Sequence, residues 1–355
     1  MDVKQITDIL FEKGDIEDKY LKKLIESEES MEYLFKKADE KRREIYSDKV
    51  YLRGLIEISS YCKNNCLYCG IRASNKNSKR FRLEKEEILS CARHGYETGF
   101  RTFVLQGGED GFYDDDYLSD VVSSLKKEFP ECAVTLSLGE RSEESYKTLK
   151  RAGADRYLLR HETGDKDHYE SLHPKNMSFE NRIECLVNLK KTGYQTGSGF
   201  MVGTPGQTTE TLIKDLRLLQ KLQPEMIGIG PFIPHRDTPF KNEEAGNLEL
   251  TLKMIAILRL MFPYALIPST TALATLDKKG RIKGLLAGAN VVMPNLSPKD
   301  ARENYNLYDN KAHLGAESIE GIGELREEIE NAGYRISWER GDALTKQKTD
   351  GNLKT

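Results

Sequence analysis

An α/β fold built on a (βα)8 TIM barrel is what this sequence predicts, with a helical cap before the barrel and a short extension after it. Three observations carry the expectation. Eight short runs rich in apolar and β-branched residues recur between residues 50 and 294. Charged stretches with helical periodicity separate them, and several of those stretches carry residues that start and stop helices. Strand–helix alternation of this kind means parallel strands joined by right-handed crossovers, and eight units can close a barrel.

Residues 1–48 read as helices. Their apolar positions (Ile6, Ile9 and Leu10, then Tyr20, Leu21, Leu24 and Ile25, then Tyr33, Leu34 and Ala38) recur mostly three or four apart. No chemistry-bearing group stands among them, so they read as a cap over the base of the barrel. The strand runs are 50–58, 102–107, 133–138, 156–162, 197–203, 226–233, 266–272 and 290–294. Proline in the sixth and seventh blurs their limits. Helical patterns cover 85–96, 117–128, 143–152, 179–191 and 208–222. Asp116, Ser142 and Ser178 are candidate starts, and Gly95, Gly99, Gly153 and Gly193 candidate stops. The division expected is a cap over 1–48, a barrel over 49–314 and an extension over 315–355. That extension holds a helix over 317–332, an apolar segment 334–338 and a Lys-rich end that should fray.

The 54 Lys and Arg nearly balance 57 Asp and Glu across 355 residues, which makes no case for nucleic acid. The pair Lys190 and Lys191 ends a helical pattern and reads as a solvated face. The N-terminus is polar and charges interrupt every apolar run, so neither a signal peptide nor a membrane span is expected. A cytoplasmic, reducing location follows. Of six cysteines, Cys91, Cys132 and Cys185 are scattered and read as buried free thiols.

The other three, Cys62, Cys66 and Cys69, follow the first strand run with C-x3-C-x2-C spacing. Three thiolates on one loop can hold three irons of a [4Fe–4S] cube, whereas a closed electron-transfer cluster takes four ligands. The fourth iron stays open to a substrate or cofactor, and S-adenosylmethionine (SAM) can chelate it through its amino and carboxylate groups. Structural zinc is the alternative, but it wants four close Cys or His ligands, and the closest histidine, His94, lies in a helical stretch. The segment closely resembles the cluster loop of radical SAM enzymes.

Barrel chemistry gathers at the C-terminal strand ends. The second run ends in Gln106, Gly107, Gly108 and Glu109. The glycines permit close backbone approach and Glu109 can accept from an ammonium; an ordinary turn is the plainer reading. Radical SAM enzymes carry a similar element for the methionine amine. Ser137 and Glu162 end the third and fourth runs and suit the polar groups of SAM, against a surface salt bridge within Arg160, His161 and Glu162. Arg182 opens a helix where it can clamp the SAM carboxylate. An ordinary helix-surface pair is its alternative, but no acid stands three or four residues away.

Five segments taken together, 106–110, 135–140, 156–163, 228–235 and 269–272, resemble the HydE family of radical SAM maturases of [FeFe]-hydrogenase, over roughly residues 1–310. The resemblance implies a full barrel, a [4Fe–4S] cluster, SAM and a small organometallic iron substrate. In that family a cysteine-bound Fe(CO)2(CN) unit is carried towards the hydrogenase diiron subcluster with a 5′-deoxyadenosyl radical. It also implies a one-electron reductant such as ferredoxin or flavodoxin, and contact with other maturation proteins. Cavity-lining positions carry over to Arg53, Arg160, Thr270 and Thr271 on the seventh strand, Met293, Tyr305 and Tyr308. A pair with Glu57 is an equal reading for Arg53, core packing for Met293, and a shared helix face for the two tyrosines. His235, at the end of the sixth strand, reads as a loop contact, with a catalytic role as the alternative. No cysteine follows Cys185, so the accessory cluster of some relatives cannot form. Biotin synthase-like and methylornithine synthase-like enzymes are the rivals, and a non-catalytic iron–sulfur carrier is the rival from another class. The response of the cluster's EPR spectrum to SAM separates carrier from enzyme.

Overall fold

The computed structural model describes residues 1–29, 31–312 and 315–345. Its strands are β1 (Lys49–Leu52), β2 (Gly54–Ser59), β3 (Thr102–Gly107), β4 (Ala133–Ser137), β5 (Arg156–Leu158), β6 (Gln195–Ser198), β7 (Met201–Val202), β8 (Met226–Ile227), β9 (Gly230–Pro231), β10 (Val291–Val292) and β11 (Arg335–Ser337). Every pairing between them is parallel. One sheet runs β2-β3-β4-β5-β6-β8, and β7 pairs with β9 further along the same two walls. Bridges Met226↔Leu266 and Pro268↔Val291 carry the circuit on to β10, which pairs back onto β1. The eight-walled barrel therefore closes.

Two strand runs differ from expectation. The first is interrupted at Arg53, so β1 faces β10 while β2 faces β3. The seventh contributes only isolated bridges: Pro268 has no N–H for a ladder, and the chain turns into a helix directly after Ser269. Thr270 and Thr271 are accordingly not on a strand. Thr270 is the N-cap, and Thr271 the first residue, of the helix that follows.

The helices are α1 (Val3–Lys13), α2 (Asp18–Glu26), α3 (Met31–Tyr46), α4 (Lys85–Thr98), α5 (Asp115–Glu128), α6 (Glu143–Arg151), α7 (Lys166–Leu172), α8 (Phe179–Lys191), α9 (Thr209–Leu222), α10 (Leu248–Met261), α11 (Thr271–Leu276), α12 (Gly280–Leu286), α13 (Lys299–Asn304) and α14 (Ile322–Asn331). Ser142 and Ser178 cap α6 and α8 as the sequence predicts. Helix α5 starts earlier than expected because Asp114, not Asp116, accepts the Tyr117 N–H at 2.8 Å. Gly95 is not a stop: it lies inside α4 with Leu296 packed on it, and Gly99 ends the helix. The expected helix over 317–332 is two 3-10 turns followed by α14.

The N-terminal helices lie mainly along the flank of the barrel, with Tyr46 at the end of α3 reaching the base. Helix α3 packs on α10, and α2 lies along α9, tied by Lys22 to Glu210 at 2.7 Å and by Arg217 to Asp15 and Asp18. Sandwiched between barrel and α3, α10 is buried from Thr251 to Met261, which is why it lacks a polar face. Most of the base is closed by the C-terminal segment, to which the sequence assigned no role. Strand β11 extends the sheet beside β1. Beneath the strand starts, Arg156 donates to the carbonyls of Arg340 and Gly341 and to Asp342 at 2.8 Å, and Gln195 donates to Asp342 at 2.8 Å. Ala343 and Leu344 then pack against Tyr46, Tyr51, Met226, Leu266 and Val291. The end expected to fray, 346–355, lies outside the described residues.

Candidate active site at the barrel mouth

The cysteine loop leaves β2 at the C-terminal end of the barrel and is pinned from several sides. Lys63 N–H donates to Glu109 O (2.9 Å), Leu67 N–H to Leu172 O (2.9 Å) and Gly70 N–H to Leu307 O (2.8 Å). Arg80 gathers the carbonyls of Ser60, Ile71, Arg72 and Asn75. Between Cys66 and Cys69, the Tyr68 hydroxyl meets His173 Nε2 at 3.1 Å, and Cys66 Sγ lies 3.6 Å from Met177 Sδ. Gly108 permits the approach of the β3 end: a Cβ there would stand 2.2 Å from Tyr61 O and 2.7 Å from Cys62 Cβ.

Cys62, Cys66 and Cys69 are unbridged and half-buried, whereas Cys91, Cys132 and Cys185 are buried free thiols, as expected. Burial raises the three loop thiols, Cys69 to about 12, so iron binding must displace their protons. Among the described residues no three His, Cys, Asp or Glu side chains converge on a single-ion site. A cubane does not require such convergence, because each thiolate ligates its own iron. Three soft donors on one braced loop, beside a Gly108 cradle, fit that group.

Facing the loop, the Glu109 carboxylate is already aimed. Its Oε1 accepts the Glu140 N–H at 3.0 Å and its Oε2 meets Lys63 Nζ at 3.1 Å. Gly139, at φ 75°, makes room: a Cβ there would lie 2.1 Å from Glu109 Cγ. Asp110 is an anchor, held below its ordinary range by Arg82 and Ser59 against the opposing effect of burial. Register sets Glu57, Gln106 and Ser137 side by side at the mouth. Glu162 accepts from Arg160 Nε at 3.0 Å, while its other oxygen is buried without a partner among the described residues.

Arg182 does have an acid, contrary to the local spacing. Its Nε donates to Glu140 Oε1 at 2.5 Å and its Nη1 to Arg160 O at 2.6 Å. The pair is buried rather than superficial, with the side chains 7% and 13% exposed. Glu140 and Gly139 were not singled out in the sequence. Both stand in the segment 135–140, but nothing local links Glu140 to a residue 42 positions on.

Deeper in the barrel, Arg53 is not paired with Glu57, which instead holds Lys311. Arg53 Nη1 meets Met226 Sδ at 3.0 Å, and its Nε and Nη2 have no partner among the described residues. Thr270 Oγ1 is likewise buried without a partner, and Thr271 donates to Glu317 at 2.7 Å. Both threonines and Met293 line a cavity of about 40 Å3 under Glu317. Tyr305 and Tyr308 share no helix face, since α13 ends at Asn304. Tyr305 is buried beneath Lys311, whose Nζ lies 4.8 Å from its ring centre. His235 is a loop contact, accepting the Asp237 N–H at 3.0 Å. The structure thus gathers Gln106, Gly107, Gly108, Glu109, Ser137, Arg160, Glu162 and Arg182 around the cysteine loop. Arg53 lies towards the base, and the Thr270–Met293 group lines one wall.

The radical SAM superfamily model matches residues 56–219. The [FeFe] hydrogenase maturase subunit HydE of Thermotoga maritima is 51% identical over 280 residues, covering 79% of this chain and 80% of that protein. The chain belongs to the HydE family of radical SAM enzymes. HydE-like similarity is stronger than that to 3-methylornithine synthase of Methanosarcina acetivorans, 33% identical over 288 residues and 80% of each chain. The fold is shared with the second of these: a methylornithine synthase crystal structure superposes with a TM-score of 0.81, 27% identity and coverage of 98% of this chain and 99% of that one. A HydE-type radical SAM enzyme works with a [4Fe–4S] cluster and SAM, and the barrel mouth carries donors suited to both. Among the described residues no helix is long and apolar enough to cross a membrane.

Proposed function

We propose that this chain reductively cleaves SAM at the open iron of a [4Fe–4S] cluster held by Cys62, Cys66 and Cys69. The resulting 5′-deoxyadenosyl radical acts on a cysteine-bound Fe(CO)2(CN) complex in assembly of the [FeFe]-hydrogenase diiron subcluster. The observation that carries the reading is the 51% identity to the Thermotoga maritima HydE subunit over 79% of the chain. The cluster supplies one electron to the SAM sulfonium when bound.

The chain's own residues do the positioning. Glu109, set by Glu140 N–H and Lys63, receives the methionine ammonium. Arg182, braced by Glu140, presents its guanidinium to the carboxylate. Gln106, Gly107 and Gly108 bring backbone close to the loop, while Ser137 and Glu162 offer polar groups to the ribose hydroxyls. Arg53, Arg160, Thr270, Thr271, Met293, Tyr305 and Tyr308 receive the substrate below. The barrel over 49–314 carries this chemistry, with 1–48 and 315–355 in support. A cytoplasmic one-electron donor such as ferredoxin or flavodoxin supplies the electron, and other maturation proteins exchange the iron complex.

Anaerobic reconstitution tests the reading. SAM should shift the EPR spectrum of the reduced cluster, and the organometallic complex should accelerate SAM consumption and yield product able to mature apo-hydrogenase. A spectrum indifferent to SAM points to a carrier. The shared methylornithine synthase fold supports a second reading, an isomerase, which lysine turnover would reveal.

A further inference from the structure

Behind the mouth lies a buried constellation that the proposed chemistry does not use. His161, Ser198 and Asp215 are all 0% exposed. Side chains alternate along the end of the β5 wall: Arg160 and Glu162 pair with each other at the mouth, while His161 turns towards α9. Its Nδ1 lies 2.9 Å from Ser198 Oγ on the neighbouring strand β6, and its Nε2 lies 3.2 Å from Asp215 Oδ1 on α9. Burial pushes the Asp215 carboxyl well above its usual range, but Oδ1, which takes the Gly164 N–H, is an acceptor, so Nε2–H donates to it and Nδ1 accepts the Ser198 O–H. Burial holds the ring at about 3, and hence neutral, in keeping with that tautomer.

Asp215 Oδ1 also accepts the Gly164 N–H. One carboxylate oxygen therefore brackets the turn from His161 to Gly164. Inside that bracket Glu162 has φ 67°, a left-handed conformation that is strained for a non-glycine residue. Such strain persists only where the surroundings over-determine it. On the far side, the Glu162 N–H donates to Gly199 O at 3.0 Å. The result is a carboxylate turned to the mouth with Oε2 buried and unpartnered. These three residue types could suggest a hydrolytic triad, but Ser198 Oγ is sealed between strand and helix, out of reach of any substrate.

We infer that Ser198, His161 and Asp215 are a positioning relay that holds the strained Glu162 turn and thereby sets its carboxylate for SAM. The inference rests on the reading of Glu162 as a SAM contact, and a double-mutant cycle on reconstituted holoenzyme distinguishes the two. SAM dissociation constants are measured by equilibrium binding, with iron content and melting temperature as controls. Glu162→Gln and His161→Phe should each weaken SAM about tenfold, the scale of one lost hydrogen bond. The double variant should be no weaker than the worse single one, because both act through one carboxylate. His161→Gln, whose amide can both donate to Asp215 and accept from Ser198, should restore affinity. Should His161→Phe not fold, Ser198→Ala replaces it in the cycle, with an expected loss of about threefold at full iron content. An additive, about hundredfold loss in the double variant would mean that the relay acts on the fold alone and would overturn the inference. So would unchanged affinity in both His161→Phe and Ser198→Ala. Unchanged affinity in Glu162→Gln itself would remove Glu162 from the SAM site and the relay with it.

Discussion

Removing the charge of Asp342 tests how the base of the barrel is closed. Burial alone would raise this carboxyl, but the hydrogen bond and charge of Arg156, with Gln195 and Arg340, outweigh it and hold it at about 2 against 3.8. At about 1.4 kcal/mol per tenfold in proton affinity, the difference corresponds to about 2.4 kcal/mol. The side chain is 34% exposed, and solvent screening brings the contribution down to about 1.5 kcal/mol. Asp342→Asn should lose that amount. Asp342→Ala should lose more, towards about 3 kcal/mol, because the fully buried Arg156 keeps carbonyl partners but no counter-charge. Urea unfolding of the cluster-free chain at several pH values is the assay. A carboxyl held low in the fold stabilises it above the unfolded value and stops doing so as pH falls through the folded one. The gap between wild type and Asp342→Asn should thus be complete above about pH 4.5 and close as pH falls through about 2. A gap that does not change with pH, or no gap at all, would refute the charge account of the closure.

Three further outcomes follow from the mouth and the cavity. Cys62→Ser, Cys66→Ser or Cys69→Ser should abolish SAM cleavage and lower iron content, whereas Cys91→Ser, Cys132→Ser and Cys185→Ser should keep about four irons per chain by iron and sulfide analysis. Arg182→Ala should weaken SAM by roughly 2–4 kcal/mol in equilibrium binding with the cluster retained, since it removes a charge-assisted contact and strands Glu140; unchanged affinity would return Arg182 to a purely structural tie. Arg53→Ala should spare uncoupled SAM cleavage yet impair hydrogenase maturation, read by hydrogen evolution from apo-hydrogenase supplied with the product.

What the sequence reveals depends on how local the determinant is. The eight runs are legible because each barrel wall is a short apolar segment flanked by amphipathic helices, and the Ser142 and Ser178 caps act within three residues. The cysteine loop and Gln106–Glu109 are legible for the same reason. The break at Arg53 is not, because nothing beside it signals that one run serves two neighbours on opposite sides. Nor is the base closure, in which Arg335–Ser337 meets a strand almost 290 positions earlier and Asp342 meets Arg156. Ion pairs chosen by topology follow no spacing rule, and so Arg182 looked unpaired until the barrel brought Glu140 to it.

The first wall shows why the cavity below the mouth calls for an anion. Val50, Leu52, Ile56 and Ile58 belong to the main apolar core between wall and helices, so the odd-numbered residues face the interior through the break at Arg53. From the base upward these are Tyr51, packed on Ala343, then Arg53, Leu55, Glu57 and Ser59. Charge is offset at each neighbouring level: Arg156 by Asp342 below, Glu57 by Lys311 above, and Asp110, which holds Ser59, by Arg82. Among the described residues, Arg53 alone in this column hydrogen-bonds only a thioether, with two of its nitrogens unpartnered. A guanidinium removed from water without a paired counter-ion costs several kcal/mol, and Arg156 adds a repulsion larger than the attraction of Asp342, which is not paired with Arg53. An anionic ligand at that depth relieves both. A substrate carrying carboxylate or cyanide groups would therefore be drawn below the mouth by Arg53, leaving its upper end facing the cysteine loop where SAM is held.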